Sequence, residues 1–343
     1  MSPSFSSRLA LLAPALLLAL AALALPPEGE GLYAVNPTTA ARQYLGSYYH
    51  PAVDGDFQWL YADNGRGTIV RWPLDRLNTP RQIFAGAGAR LHGHLWAPIP
   101  APEGGRVAVA ANTVQDGYQR VSLYVLTPDG QRERGPIPLY GAQETTNPHQ
   151  SFDWSPDGTW LALAITEEAQ RPAGVYIYSL ETNDWLALPG AVGVPRFSPD
   201  GQRLAVQHEA GVTLHHGPQW TNPEELDLPG QNGFAPLAWL DGETLVAGDS
   251  GEYHDNWSVY HLNGELADDA WPRSAEWATR GYLERSAGGW AWFGIGTGMV
   301  TGAYVVDDLS DEEHCVLEIE DLDASAGLAW NPSGTRLFVG LGY

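Results

Sequence analysis

From residue 31 onward the chain alternates short apolar runs with clusters of Gly, Pro, Asp, Asn and Ser, the pattern of strands joined by tight turns. One stretch shows the plan most fully: Phe152-Asp153-Trp154-Ser155-Pro156-Asp157-Gly158-Thr159-Trp160-Leu161-Ala162-Leu163. It returns at 194–206 as VPRFSPDGQRLAV, at 328–339 as LAWNPSGTRLFV and, shortened, at 237–246 as LAWLDGETLV. Its aromatic positions, 154, 197, 239 and 330, lie 43, 42 and 91 residues apart. Since 91 is two periods of about 45, a further unit is expected between 239 and 330.

Each part of the repeat has a mechanical role. A short apolar strand ends in an aromatic, Pro stops the ladder because it cannot donate, Asp-Gly makes the reversal, and Leu-Ala-Val returns as the second strand. A third strand follows, clearest in Gly174–Leu180, and then a fourth such as Asp184–Pro189. Four antiparallel strands in 40 to 50 residues make one propeller blade. The template extends to His94–Pro98 with Arg106–Val109 and Val121–Leu126, and to Phe57–Tyr61 with Thr68–Trp72. It also covers the unit between 239 and 330, with Tyr282–Glu284, Trp290–Phe293 and Ala303–Val306. The last hairpin runs to Tyr343 with two strands only, so Gly31–Asn36 and Ala41–Leu45 are expected to complete its blade as third and fourth strands. The expected fold is all-β, a single seven-bladed β-propeller over 31–343, with six or eight blades as the alternatives where a degenerate unit is miscounted.

Residues 1–25 differ in kind: Arg8 is their only charge, Leu9–Leu25 is almost purely Leu and Ala, and Ala22-Leu23-Ala24 offers a small-x-small cleavage site. The reading is an export signal over 1–24, either cleaved or retained as an N-terminal anchor, which places the protein in the periplasm, on the cell surface or outside the cell. No other segment is long and apolar enough to span a bilayer.

Composition narrows the chemistry. The 39 glycines and 26 prolines are scattered, as turn-rich β structure requires. Net charge is −23, which disfavours nucleic acid and anionic membranes and favours cationic partners. All 18 basic residues are arginine; with no lysine there is no P-loop of the usual kind, no pyridoxal Schiff base and no Ser-Lys pair. The single cysteine, Cys315, rules out an intrachain disulfide and a multi-cysteine metal site. Its setting beside Glu312 and Glu313 is that of a strand residue, because carboxylates oppose the thiolate.

The Trp/Phe-Ser-Pro-Asp-Gly-x-x-Leu-Ala-Val pattern resembles the repeats of TolB-type, WD-repeat-like β-propellers of exported bacterial proteins. Residues 155–158 and 198–201 match it in full, and 331–334 and 240–242 in part. The resemblance implies the propeller architecture. The extra N-terminal α/β domain of TolB finds no room between Pro27 and the first strand, so the role of TolB in the cell envelope is not carried over.

No complete catalytic motif appears. Gly248-Asp249-Ser250-Gly251-Glu252 lacks the second glycine of a protease nucleophile loop and falls in a hairpin, and there is no Gly-x-Ser-x-Gly elbow. Residues 155–160 approach a sialidase Asp-box but lack the residue between Asp and Gly. Gly294–Gly298 precedes no helix, which fits a glycine-rich hairpin, and Asp307–His314 lacks the glycine and spacing of a calcium loop. The histidines carry the strongest signal. His50, His92, His94 and His149 each precede the expected innermost strand of successive blades, at connections that converge on one mouth of the channel. Two readings follow: a monomeric, non-enzymatic scaffold, without cofactor, that presents mouth and loops to a protein or glycan partner, or a metal-assisted enzyme. In the second, these imidazoles hold a divalent metal for a lyase or lactone hydrolase, as in some polysaccharide lyases built on a TolB-like propeller. On either reading the four histidines are the binding candidates, and no catalytic residue is assigned.

Overall fold

The computed structural model describes residues 29–343 except 56–57, 66, 86–97, 116–117, 142–151, 166–171, 189, 192, 209–210, 221–222, 227, 229–236, 251–254, 268–277, 287–288, 296–300, 307–312, 320–324 and 343. The described residues contain 27 strands and no helix, arranged as a seven-bladed propeller. The expected closure is observed. Strands β1 (Gly31–Val35) and β2 (Arg42–Gly46) stand outside β27 (Leu337–Leu341) and β26 (Ser325–Trp330) in one sheet of order β2-β1-β27-β26. Each residue of β1 is paired to β27, from Gly31 opposite Leu341 to Val35 opposite Leu337.

The first full blade is β3 (Tyr49–Val53), β4 (Trp59–Asp63), β5 (Thr68–Pro73) and β6 (Arg81–Ala85). Here the phase of the sequence reading is corrected by one strand. The run read as the opening strand of this blade is its second strand, and the innermost position belongs to Tyr49–Val53. That segment lacks the aromatic-Ser-Pro signature, yet Asp54 and Gly55 still turn it: Asp54 Oδ1 accepts the main-chain N–H groups of Gln58 and Trp59 at 2.7 and 3.0 Å.

The second blade is β7 (Pro98–Pro100), β8 (Val107–Gln115), β9 (Tyr118–Leu126) and β10 (Arg132–Gly141). The third and fourth carry the two full repeats: β11 (Phe152–Trp154), β12 (Trp160–Ile165), β13 (Gly174–Ser179) and β14 (Trp185–Ala187), then β15 (Val194–Phe197), β16 (Arg203–His208), β17 (Gly211–His216) and β18 (Glu224–Leu226). The fifth has β19 (Leu237–Trp239), β20 (Thr244–Ser250) and β21 (Asp255–His261), and among the described residues its fourth position holds one bridge, between Tyr260 and Leu266. The unit inferred from the doubled interval is the sixth: β22 (Ala278–Ser286), β23 (Gly289–Ile295), β24 (Thr301–Val306) and β25 (Glu313–Glu318). A single pair, Asp255 with Ala278, joins the fifth and sixth into one seven-stranded sheet.

The core lies between blades, because side chains on successive strand positions point to opposite faces. In β16, Leu204 and Val206 pack with Ile177 and Val175 of the third blade, while Ala205 between them packs with Leu245 and Ala247 of the fifth. Leu32 and Ala34 of β1 likewise meet Leu60 and Ala62 of the first blade, whereas Tyr33 and Val35 face the sixth. Polar links reinforce this packing near the channel. The Trp154 indole N–H donates to Ile99 O at 2.9 Å, and the Trp239 indole to Arg196 O at 3.0 Å, each to the inner strand of the preceding blade. Phe197 has no such N–H; its main-chain N–H instead donates to Asp153 Oδ2 at 2.7 Å.

Two predictions follow from this geometry. Deleting residues 29–46 removes β1 and β2 and bares the edge of β27; thermal unfolding should show a loss on the order of 5 kcal/mol, since a fully buried strand and its ladder go together. A variant that melts within about 1 °C of the parent would refute the closure. The second concerns Asp153, whose carboxyl is raised above its ordinary value by burial, against the opposing pull of Arg196 and the N–H groups of Phe197 and Trp154. A raised carboxyl stabilises the fold below its unfolded pKa and loses that contribution as pH rises through the folded value. Asp153→Asn keeps an acceptor for Phe197, so its melting temperature should exceed the parent's at pH 7 and the difference should shrink toward pH 4. A difference that grows on acidification would refute the assignment.

Candidate functional site

Of the four candidate histidines, His92, His94 and His149 lie outside the described residues, and His50 lies within β3. Tyr49 pairs with Asp63 across the β3–β4 ladder, which brings the next residue, His50, within reach of that carboxylate. His50 Nδ1 is 2.5 Å from Asp63 Oδ2, with both side chains buried, and Asp63 Oδ1 accepts the Gly65 N–H at 2.7 Å. His50 also has φ +43°, a left-handed conformation uncommon for a non-glycine residue, held by its surroundings. Histidine, carboxylate and turn thus form one buried unit where β3 begins and β4 ends. The pairing commits Nδ1 to the carboxylate and fixes the orientation of the ring. Asp63 was not singled out from sequence; its place before Asn64-Gly65, a turn signal, was the available clue.

The remaining sequence candidates fall on scaffold. Ser250 ends β20 and Cys315 sits half-buried on β25 opposite Tyr304. Of the acidic run, residues 307–312 lie outside the described residues, while the His314 Nε2–H donates to Pro37 O at 2.9 Å and ties the sixth blade to the seventh. Among the described residues no three His, Cys, Asp or Glu side chains are placed to hold one metal ion.

The opposite face, where the inner hairpins turn, has polar clefts that sequence reading did not single out. Asp157 Oδ1 accepts from Ser155 Oγ at 2.6 Å, Thr159 Oγ1 at 2.8 Å and the Thr159 N–H at 3.0 Å. Partial burial pushes the Asp157 carboxyl up, but these hydrogen bonds outweigh it and hold it below the ordinary carboxylate range. Asp200 Oδ1 accepts from Ser198 Oγ at 2.6 Å and the Gln202 N–H at 3.0 Å, and those bonds hold it low as well. Both therefore stay ionised at neutral pH. They line a cleft of about 220 Å³ between the third and fourth blades, with Ser155, Pro156, Trp160, Gly201, Gln202, Gly217, Pro218 and Trp220. A wider cleft of about 570 Å³ lies between the fourth and fifth, where Arg203 meets Glu243 at 3.2 Å and His216 meets Glu224 at 3.3 Å. These sites come from loops of two blades at once, so no contiguous motif announces them.

No protein-family model matches the chain. A Mycobacterium tuberculosis protein named "Probable L,D-transpeptidase 3" is 25% identical over 177 residues, 50% of this chain and 57% of its own length. The Tol-Pal system protein TolB of Alcanivorax borkumensis is 40% identical over 65 residues, 18% of this chain and 15% of its own length. The chain therefore spans little more than half of the first relative and a small part of the second. Among solved structures, a β-propeller domain from Myceliophteria thermophila superposes with TM-score 0.57 at 12% identity, covering 87% of this chain and 98% of that one. A puromycin-hydrolyzing peptidase of Mycobacterium tuberculosis gives TM-score 0.56 at 16% identity over 82% of this chain and 49% of that one. At these identities the structures speak for the fold alone. The chain is a seven-bladed β-propeller.

Proposed function

We propose that the protein is an exported, non-enzymatic propeller that presents its channel mouth and loops to a protein or glycan partner. The observation that carries this reading is the state of His50: its Nδ1 is committed to a carboxylate buried in the blade, and that carboxylate also anchors the following turn. Such a histidine shapes the rim. A net charge of −23 on a chain with no lysine favours a partner with a cationic face and lets long-range attraction speed encounter. The 25% identity over half the chain lends no transpeptidase or peptidase activity to it. The export signal read over 1–24 supports a partner in the cell envelope or medium.

The decisive experiment purifies the protein without its first 24 residues, determines bound Mn, Zn and Ca, and compares partner capture and sugar or lactone turnover with and without chelator. The expected outcome is capture from envelope extract or culture medium unaffected by chelator, with no stoichiometric metal. Chelator-sensitive turnover lost in a variant lacking His50, His92, His94 and His149 would overturn the reading in favour of a metal-assisted enzyme.

His50→Ala supplies a further check. It leaves Asp63 Oδ2 buried without its imidazole partner, so it should cost about 2–4 kcal/mol in unfolding experiments. A variant as stable as the parent but defective in partner capture would show that the histidine contacts the ligand rather than the scaffold.

A further inference from the structure

In five blades the inner hairpin closes in the same way: the first turn residue donates its N–H to the carbonyl five residues on, from Asp54 to Trp59, Ala101 to Arg106, Ser155 to Trp160, Ser198 to Arg203 and Asn331 to Arg336. Arg106, Trp160 and Arg203 therefore occupy one structural position in the second, third and fourth blades. At the flanking junctions that position bridges to the next blade. Arg106 Nη1 donates to Gly158 O of the third blade at 3.4 Å, and Arg203 Nη1 to Gly242 O of the fifth at 2.5 Å. Each guanidinium also meets carboxylates, Glu133 and Glu103 for Arg106 and Glu243 for Arg203.

The junction between the third and fourth blades differs. Trp160 stands where its neighbours carry arginine, and the cleft of about 220 Å³ opens in front of it. The acceptors remain: Gly201, whose carbonyl corresponds to Gly158 O and Gly242 O, and the Asp157 and Asp200 carboxylates, which both line the cleft and take their hydrogen bonds on Oδ1. The first blade shows what the same tryptophan position does with a cation. Trp59 is the counterpart of Trp160, and Arg71 lies over its ring with Cζ 3.9 Å from the centroid while pairing with Asp129 at 2.7 Å.

A second feature points the same way. Trp220, another wall of the cleft, is only 4% exposed, and its indole N–H has no acceptor among the described residues. Its carbonyl accepts from His215 Nδ1 at 3.3 Å, which helps fix the loop on which it sits.

We infer that the cleft between the third and fourth blades binds an arginine side chain of a partner polypeptide. The guanidinium stacks on Trp160 as Arg71 does on Trp59, donates to the Asp157 and Asp200 carboxylates, and reaches the Gly201 carbonyl, which no arginine among the described residues serves. A planar fork of donors suits this set better than an ammonium, which has no face to lay on the indole. The peptide carbonyl of the bound residue supplies an acceptor of the kind the Trp220 indole lacks. The site lies at the end of the blades opposite His50, so it stands or falls independently of what the mouth binds.

The test uses the protein lacking residues 1–24 and three probes at low ionic strength: the blocked pentapeptide Gly-Gly-Arg-Gly-Gly, the same peptide with citrulline for arginine, and N-acetylglucosamine, each titrated by ligand-observed NMR. The arginine peptide should bind at least tenfold more tightly than the citrulline peptide, and the sugar should not compete with it. Asp157→Asn with Asp200→Asn keeps the Oδ1 acceptors and removes the charge; it should weaken arginine binding at least tenfold without lowering the melting temperature by more than about 2 °C. Trp160→Arg gives the third blade the residue its neighbours carry and should abolish binding by filling the cleft from within. Equal binding of arginine and citrulline peptides, binding undiminished in the double Asn variant, or preference for the sugar would each overturn the inference. Should Trp160→Arg fail to fold, the double Asn variant alone decides.

Discussion

Everything in this ring depends on how the inner strand of one blade is fastened to the inner strand before it. The aromatic that ends each repeat's first strand does this twice over, by filling the space between sheets and by sending its indole N–H to the previous blade, as Trp154 does to Ile99 O and Trp239 to Arg196 O. The link survives a change of chemistry. With phenylalanine at position 197, the donor becomes the main chain and the acceptor becomes Asp153, a carboxylate kept on the channel wall although burial disfavours its charge. Since the core lies between blades rather than within them, each sheet is stable only against its neighbours, and the ring has to close. Strand β1 closes it by pairing with β27 along its whole length, with β2 outside it, leaving no open edge at the seam.

The architecture was legible because its determinants are local and repeated. Asp-Gly at a hairpin, Pro at a strand end and an apolar return strand are each fixed within a dozen residues, and a period near 43 carries them into units as degenerate as the sixth blade. Where the signature failed, so did the phase. Tyr49–Val53 has Pro51 at its centre and no aromatic before its turn, so Asp54-Gly55 is the one remaining mark of an inner hairpin, and the pattern alone points to the strand after it as the first.

The site was less legible for a physical reason. A histidine in a connection shows its chemistry but not its partner, and the partner of His50 is a residue thirteen positions away, brought near by the β3–β4 register. The clefts on the opposite face are harder still, since their walls come from turns on two blades. What sequence could have offered is a comparison across repeats rather than along the chain: Arg106, Trp160 and Arg203 align once the hairpins are superposed, and the odd member marks the odd junction.

The absence of lysine gives that comparison its weight. Arginine is the chain's only strong cation, and several of its arginines are committed to joining blades. Arg71 pairs with Asp129 of the second blade, Arg106 with the third-blade turn, Arg134 with Leu180 O at 3.0 Å, and Arg203 with the fifth-blade turn. A planar, permanently charged fork suits such work, because it can hold a carbonyl and a carboxylate at once where a junction is narrow. The consequence is that part of the molecule's positive charge is spent at its seams. Exchanging one seam arginine for tryptophan leaves the hairpin intact, since its closing main-chain bond does not depend on the side chain. It changes instead what the junction offers to the outside, and a repeat fold can thereby acquire a specific surface without disturbing the contacts that close its ring.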